Sequence, residues 1–210
     1  MKYSLHTYLF LLLLACFAAS AFAQTPISLG FQTGLNFGNA STSPSVSTSS
    51  RTGFMLGYMM EIGVSEKFFI EPGLVYVQKG AEFYLSALPG FGNVTWKFNY
   101  LSLPIMLKGK FGHEDFKPIL FAGPDIGINL SAEIQGTNNG QTQTADVKNL
   151  TETIDFAFDI GAGGEYQISP SGTMQGSIRY SFGLSDIDKS SASWKSSGVQ
   201  LVVGMKWAVR

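Results

Sequence analysis

Apolar and polar residues alternate with a period of two along most of the chain after position 24. In the segment 153–169, TIDFAFDIGAGGEYQIS, even positions such as Ile154 are apolar or small, whereas the odd positions include Asp155, Asp159 and Glu165. Side chains of a β-strand point to opposite faces in turn, so this pattern predicts a strand with one apolar and one charged face.

Eight segments share this alternation, and long and short links follow one another between them. This order places the long links at one end of a sheet and the short ones at the other, which is typical of outer-membrane barrels with long outer loops and short periplasmic turns. The predicted fold is therefore all-β, an eight-stranded antiparallel up-and-down transmembrane β-barrel. The apolar faces lie at 27–37, 54–64, 70–76, 101–107, 120–130, 154–168, 174–182 and 199–207. The long links are 38–52, 81–93, 131–152 and 185–197, and the short ones are 65–67, 112–115 and 169–172.

Two features interrupt the pattern. Trp96, Phe98 and Tyr100 are apolar at even positions, whereas residues 101–107 are apolar at odd ones, which predicts a β-bulge at positions 99–101 that shifts the phase. Four prolines also fall within predicted strands, where each removes a backbone donor and marks a strand start, bulge or bend. These are Pro72, Pro104, Pro118 and Pro124.

The composition of the polar face decides which face points outward. A soluble lipocalin-like barrel would turn its polar face to water, whereas a membrane barrel encloses it. The polar face is rich in glycine, which weakens an exposed strand but makes room inside a narrow barrel. It also carries most of the strand charges, which predicts a structural ion-pair network in the lumen, with Arg179 as a partner for Asp159 or Glu165. The expected network is Glu61, Glu71, Lys79, Lys108, Asp125, Asp155, Asp159, Glu165, Arg179 and Lys206.

The N-terminus reads as a cleaved signal peptide. Residues 8–23 are almost wholly apolar, and Ala21-Phe22-Ala23 forms a small-x-small cleavage site. We expect a signal peptide at 1–23 and an exported barrel domain at 24–210. An alternative is a lipid anchor on Cys16, but the residues after it stay apolar, where a lipoprotein turns polar.

The charge and composition of the chain limit the classes of partner and of protein that it fits. The chain has 14 basic and 15 acidic residues, so its charge does not favour nucleic acid. Charged residues are only 14% of the chain, below the ~25% usual for soluble domains.

Three ordered phrases carry a resemblance to a known family. They are YVQKG at 76–80, NYLSLPIMLK at 99–108 and KPILFAGPDIG at 117–127. In this order the chain resembles the PorT-like outer-membrane β-barrel family of Bacteroidetes-type bacteria, often labelled "porin family". The resemblance implies an eight-stranded barrel in the outer membrane without catalytic residues. It also implies assembly by the outer-membrane machinery, which reads a terminal aromatic residue; here Trp207 is followed by three further residues.

Little in the sequence indicates catalysis. Of the two histidines, His6 lies in the expected signal peptide and His113 lies in a predicted periplasmic turn, away from the outer leaflet where a lipid-modifying enzyme would need a base. The interior acids have bases to match them, which favours an ion-pair network over a cation site at Asp155 and Asp159. No cofactor, metal or enzymatic activity is therefore expected.

The functional expectation is a monomeric, non-enzymatic outer-membrane barrel with a nearly closed core. It would contact membrane lipid and serve as a structural element or an interaction platform through its extracellular loops. Eight strands leave an interior that side chains fill, so negligible conductance is expected. The alternatives are a subunit of a secretion apparatus, a soluble ligand binder and a lipid-modifying enzyme.

Overall fold

The computed structural model describes residues 25–209 except for 44–47, 85–90, 113, 139–140 and 190–192. The expected signal peptide, with Cys16 and His6, and the turn residue His113 therefore lie outside the described residues. No helix in the described part of the chain is long and apolar enough to cross a membrane.

Across these residues the chain is built almost entirely of strands, nine in all, with one turn of 3₁₀ helix at Lys148–Leu150. Their length follows from the uninterrupted alternation that the sequence shows. The strands are β1 (Ile27–Ser43), β2 (Thr48–Gly63), β3 (Phe68–Tyr84), β4 (Phe91–Lys110), β5 (Phe116–Asn138), β6 (Gln141–Asp146), β7 (Ile154–Gln167), β8 (Gly172–Gly183) and β9 (Ser193–Ala208).

Eight of the described strands close into a barrel, as the sequence predicts. Each barrel strand pairs antiparallel with the next barrel strand along the chain. Because β6 is not part of the ring, β5 pairs with β4 on one side and with β7 on the other. The ring closes where β1 meets β9, with a register that runs from Ser28 opposite Ala208 to Ser43 opposite Ser193. The short strand β6 stays outside the ring and pairs only with the far end of β5 among the described strands.

The apolar face of the strands points outward. Leu56 is 54% exposed and Ile160 is 50% exposed, whereas charged residues on the opposite face, such as Lys108 and Asp159, are fully buried. An exterior of this kind is stable against lipid and not against water, so the lipocalin-like alternative is wrong. The outward-facing set includes Leu29, Phe31, Leu35, Tyr58, Leu103, Ile105, Leu107, Leu120, Phe156, Phe158, Ile178, Phe182, Leu201 and Val203.

The two ends of the barrel differ, although not quite as the sequence suggests. Short links join β2 to β3, β4 to β5 and β7 to β8 at one end, which we call the short-turn end. At the other end, the long-link end, much of each predicted loop is strand. β1 continues to Ser43 and β2 begins at Thr48, and β5 runs on to Asn138 before it turns back into β6. Strands therefore extend into links predicted as loops and lengthen the barrel wall, whereas β6 lies beside it and in the link 185–197 only the part from Ser193 belongs to a strand.

The predicted bulge exists, but it lies on the other strand. Asn99 pairs with Ser131 and Tyr100 pairs with Asn129, so Leu130 of β5 is the extra residue. β4 keeps its alternation from Trp96 to Lys108, and β5 changes phase instead. The prediction of a phase shift in β4 at 99–101 was wrong. Trp96, Phe98 and Tyr100 therefore lie on the face opposite to the apolar face of 101–107, and their rings fill the barrel interior toward the long-link end.

The strand prolines sit at interruptions or near a strand start. Pairing of β3 with β4 stops at Pro72 and resumes at Val75, and pairing of β4 with β5 skips from Pro104 to Leu107. Pro118 lies two residues after the start of β5. Pro124 lies in the same gap as Pro104, because the pairing of β5 with β4 skips from Asp125 to Ala122, while on its other side β5 pairs with β7 without a break.

Candidate functional site in the barrel interior

All ten residues of the expected lumen network have buried side chains on the inner face, with exposures of 4% or less. The barrel brings them together as two separate groups. The first, which we call the basal ion cluster, lies near the short-turn end. The second, the mid-barrel cluster, lies further toward the long-link end. The basal ion cluster is Glu61, Glu71, Lys108, Lys110, Glu165 and Lys206; the mid-barrel cluster is Lys79, Asp125, Asp155, Asp159 and Arg179.

Lys108 is the centre of the basal ion cluster. Its Nζ donates to a carboxylate oxygen of Glu61 at 3.3 Å and of Glu165 at 3.2 Å, and it also bonds Glu71. A fourth bond, at 2.8 Å, goes to the side-chain oxygen of Gln175. One buried ammonium group on β4 thus bonds side chains on four other strands, β2, β3, β7 and β8.

Two further lysines complete the charge balance of this cluster. Lys110 lies 2.6 Å from Glu61 and 2.7 Å from Glu165, and Lys206 lies 2.5 Å from Glu165 and bonds Glu61. The cluster therefore holds three acids and three bases. A buried charge is tolerated when it is paired and hydrogen-bonded, and here every charge has such a partner.

The three glutamates also satisfy the geometry of a metal site, since one carboxylate oxygen from each lies within 4.8 Å of the others. Lys108 already donates to all three, so its ammonium group supplies the positive charge that a metal ion would bring. The arrangement is that of an ion-pair network built around lysine.

Sequence reasoning missed Lys110 and Gln175. Lys110 lies two positions beyond Lys108 on the same face of β4, and extending the alternation by one step would have found it. Gln175 carries no charge, so its role in binding Lys108 had no signal in a charge count.

The mid-barrel cluster is less tightly bonded. Lys79 donates to Asp155 at 3.2 Å, and Asp155 also accepts a hydrogen bond from the Ser185 hydroxyl at 2.9 Å. Arg179 Nη1 lies 3.5 Å from Asp159, so of the two partners suggested by the sequence Asp159 is the one in contact with it. Glu165 belongs instead to the lysines of the basal ion cluster.

Aromatic side chains fill the barrel near the long-link end. Trp194 lies at the centre of this aromatic cap, with ring centroids 4.4 Å from Trp96, 5.2 Å from Phe83 and 5.9 Å from Phe98. Tyr100 continues the stack below Phe98 at 6.2 Å. Edge-to-face contacts at these distances add to the burial of apolar area, so the cap is a packed layer.

Glycines provide the space for bulky interior groups. A Cβ on Gly161 would lie 2.4 Å from the ring of Phe121, which in turn packs against the Arg179 guanidinium at 5.4 Å. Gly80 has a positive φ of 142° and a Cβ there would lie 2.0 Å from the Trp96 carbonyl oxygen. Larger residues at these positions would displace the rings that close the interior.

A closed ring of antiparallel strands with an apolar exterior and a charged, filled interior defines a transmembrane β-barrel protein. The chain belongs to the family of outer membrane protein beta-barrel domains, whose model matches residues 22–189. It is therefore an outer-membrane barrel. The match is to this broad family and not to the PorT-like group in particular. No curated protein matches the chain.

Solved structures agree with this assignment of the fold. The outer membrane protein OprG from Pseudomonas aeruginosa has a TM-score of 0.52 at 10% identity, over 89% of this chain and 95% of that chain. Neisserial surface protein A has a TM-score of 0.50 at 14% identity, over 85% of this chain and 96% of that chain. At such identities the likeness concerns the fold alone.

Proposed function

We propose that the protein is a non-enzymatic outer-membrane barrel with a closed core, which acts as a structural element and interaction platform through its outer end. The observation that carries this proposal is the filling of the interior at two levels. The basal ion cluster joins strands β2, β3, β4, β7 and β9 across the barrel, and the aromatic cap packs above it. The lumen of an eight-stranded barrel is narrow enough for side chains to fill it, and these two layers of side chains fill it at two heights.

Electrical recording tests the closed core. The mature protein, refolded and reconstituted into planar bilayers, is expected to give no stable single-channel steps, because ions would have to pass both filled layers. Bilayers that received the same detergent without protein are the control. Large, stable steps that depend on the protein would overturn the proposal.

The interaction platform is proposed at the long-link end. There β5 extends beyond the ring and turns back into β6, whose residues Gln141–Asp146 are all exposed. A pocket of about 370 Å³ lies at the same end, lined by Trp96, Asn149, Leu150, Asp188 and Lys189. In outer-membrane barrels the end with long links faces outward and the end with short turns faces the periplasm.

Epitope insertion tests this orientation. An epitope placed between β5 and β6 is expected to be stained by antibody on intact cells. The same epitope placed in the turn at 168–171 is expected to be stained only after permeabilisation. Staining of the second variant and not the first on intact cells would reverse the orientation and refute an extracellular platform at β6.

A role in secretion is supported by the PorT-like resemblance of the sequence alone. Deletion of the gene is therefore expected to leave the export of cargo proteins unchanged. A specific export defect, restored by the wild-type gene, would favour the secretion alternative over the platform.

The proposal also predicts that the barrel leaves outer-membrane lipid chemically unchanged. Lipid A from cells that overproduce the protein should have the same mass spectrum as lipid A from control cells. A new lipid A species that depends on the protein would show that it is an enzyme instead.

We further propose that the protein is a monomer in contact with lipid, inserted by the outer-membrane assembly machinery.

A further inference from the structure

The mid-barrel cluster differs from the basal ion cluster in its charge balance. It contains three acids, Asp125, Asp155 and Asp159, but only two bases, Lys79 and Arg179. Counted over the described residues, one buried negative charge is therefore left over. The matching of interior acids with bases that the sequence suggested holds at the basal level and fails at this one.

Neighbouring cations are already engaged elsewhere. Lys108, Lys110 and Lys206 all bond the glutamates of the basal ion cluster. Arg51, above the mid-barrel cluster, donates to the backbone carbonyl of Lys79 at 2.6 Å and interacts electrostatically with Glu82. Neither source supplies the missing positive charge.

The surplus is located by the polar atoms that have no partner. By distance and angle, neither carboxylate oxygen of the fully buried Asp159 accepts a hydrogen bond from the described residues, although Arg179 lies 3.5 Å from Oδ2 and the Ser181 hydroxyl interacts with the carboxylate. Oδ1 of Asp125, which is 4% exposed, has no hydrogen-bond donor among the described residues either. The Tyr100 hydroxyl and the Ser102 hydroxyl, both buried on the adjacent strand β4, are likewise without partners there. Asp155, in contrast, accepts bonds from Lys79 and Ser185.

Groups from several strands surround the two under-bonded acids. Asp159 on β7 faces Arg179 and Ser181 on β8, Asp125 on β5 and Lys79 on β3. Asp125 is also within electrostatic range of Lys79, and it lies diagonally opposite Ser102 of β4. Asp125 and Asp159 are close enough to interact electrostatically, and Ser181 brings a hydroxyl to Asp159. Carboxylate and hydroxyl oxygens are hard ligands suited to protons and to small oxygen-binding cations.

We infer that Asp125 and Asp159 form a buried site that takes up one positive charge from solution at neutral pH, either a proton or a small inorganic cation such as Na⁺. An unpaired carboxylate inside the barrel is strongly disfavoured because burial removes it from water. Uptake of a single positive charge neutralises the cluster and satisfies oxygens that the protein leaves unbonded. The two sources of that charge make different predictions.

Thermal unfolding of the refolded mature protein, followed by gel mobility after heating, tests the inference. If the charge is a proton, the folded protein binds a proton that the unfolded carboxylate has lost. The unfolding midpoint should then fall as pH rises above the ordinary carboxyl range, by about 3 °C per pH unit, in choline chloride free of metal ions. If the charge is a metal ion, the midpoint at pH 8 should rise when Na⁺ replaces choline at constant ionic strength.

Two variants and one control make the outcome decisive. Asp159→Asn and Asp125→Asn remove the surplus charge at nearly constant shape, so both should abolish the dependence without lowering the midpoint. Glu71→Gln makes the same change in the balanced cluster and should lower the midpoint while the dependence persists. Infrared difference spectra of wild type minus Asp159→Asn give a second readout, because a bound proton would appear as the carbonyl band of a carboxylic acid.

A wild-type midpoint that responds to neither pH nor Na⁺, with no carboxylic acid band, would overturn the inference. So would a loss of stability in Asp159→Asn as large as that in Glu71→Gln, since it would mean that the Asp159 charge is already matched by the protein. Because conductance plays no part in these readouts, the inference stands or falls separately from the proposed function.

Discussion

The lower and upper parts of the barrel interior are filled by opposite chemistry. The basal ion cluster uses three lysines and three glutamates with bonds to one another, whereas the aromatic cap uses Phe83, Trp96, Phe98, Tyr100 and Trp194. The mid-barrel cluster lies between them and is only partly bonded. A buried charge requires a matched partner, while an aromatic ring requires only contact, so the two ends should respond differently to substitution.

The largest effect is expected at the centre of the basal ion cluster. Lys108→Met would leave Glu61, Glu71 and Glu165 buried with one base fewer, and breaking a buried network in this way costs about 4 kcal/mol. The free energy of unfolding in lipid vesicles, from urea titration followed by tryptophan fluorescence, measures it. Lys67→Met, on an exposed turn, is the matched control. An unchanged free energy would mean that the cluster does not stabilise the barrel.

Truncation of the aromatic cap should cost less. Phe98→Ala removes a ring that is 1% exposed and leaves a cavity, which costs about 3 kcal/mol. Urea titration of this variant should be compared with Phe156→Ala, whose ring is 49% exposed on the lipid face. Equal losses in the two variants would argue that the cap is not a packed core.

The lipid-facing exterior of the barrel can be tested by substitution in the same way as the interior. Ile160→Lys places a charge on the lipid face in the middle of β7 and should cost about 2 kcal/mol, with the long side chain reaching toward the interface. Gln167→Lys, exposed at the end of the same strand, should be nearly neutral. If both variants unfold at the wild-type urea concentration, the apolar face of β7 does not contact lipid.

The smallest effect is expected at the edge of the mid-barrel cluster. Ser185→Ala removes the 2.9 Å hydrogen bond that the hydroxyl donates to Asp155 and the 2.7 Å bond that it accepts from the Phe156 N–H, and should cost about 1 kcal/mol. Ser185→Thr keeps the hydroxyl and should retain most of the stability in the same titration. If the threonine variant loses as much stability as the alanine variant, the packing of Ser185 and not the hydrogen bonding of its hydroxyl stabilises the barrel.

Much of this architecture could be predicted from the sequence because it depends on local alternation. Each strand needs one face for lipid and one for the lumen, so a residue such as Glu165 is assigned to the inside by its neighbours in the chain. The phase of β4 could not be predicted in this way. Trp96 and Leu103 are both apolar and lie on opposite faces, and apolarity alone does not distinguish a ring that fills the lumen from a side chain that meets lipid.

The sequence by itself determined the eight barrel strands, the face that most of each strand turns to the membrane and ten of the enclosed charges, because a period of two is a property of the extended chain. Only the tertiary structure decided which charges meet. Lys108 and Glu165 are 57 positions apart and come into contact through ring closure. The same closure gathers Asp159 with two further acids and two bases. No local spacing encodes that surplus of one acid, because it depends on the relative heights of strands across the barrel.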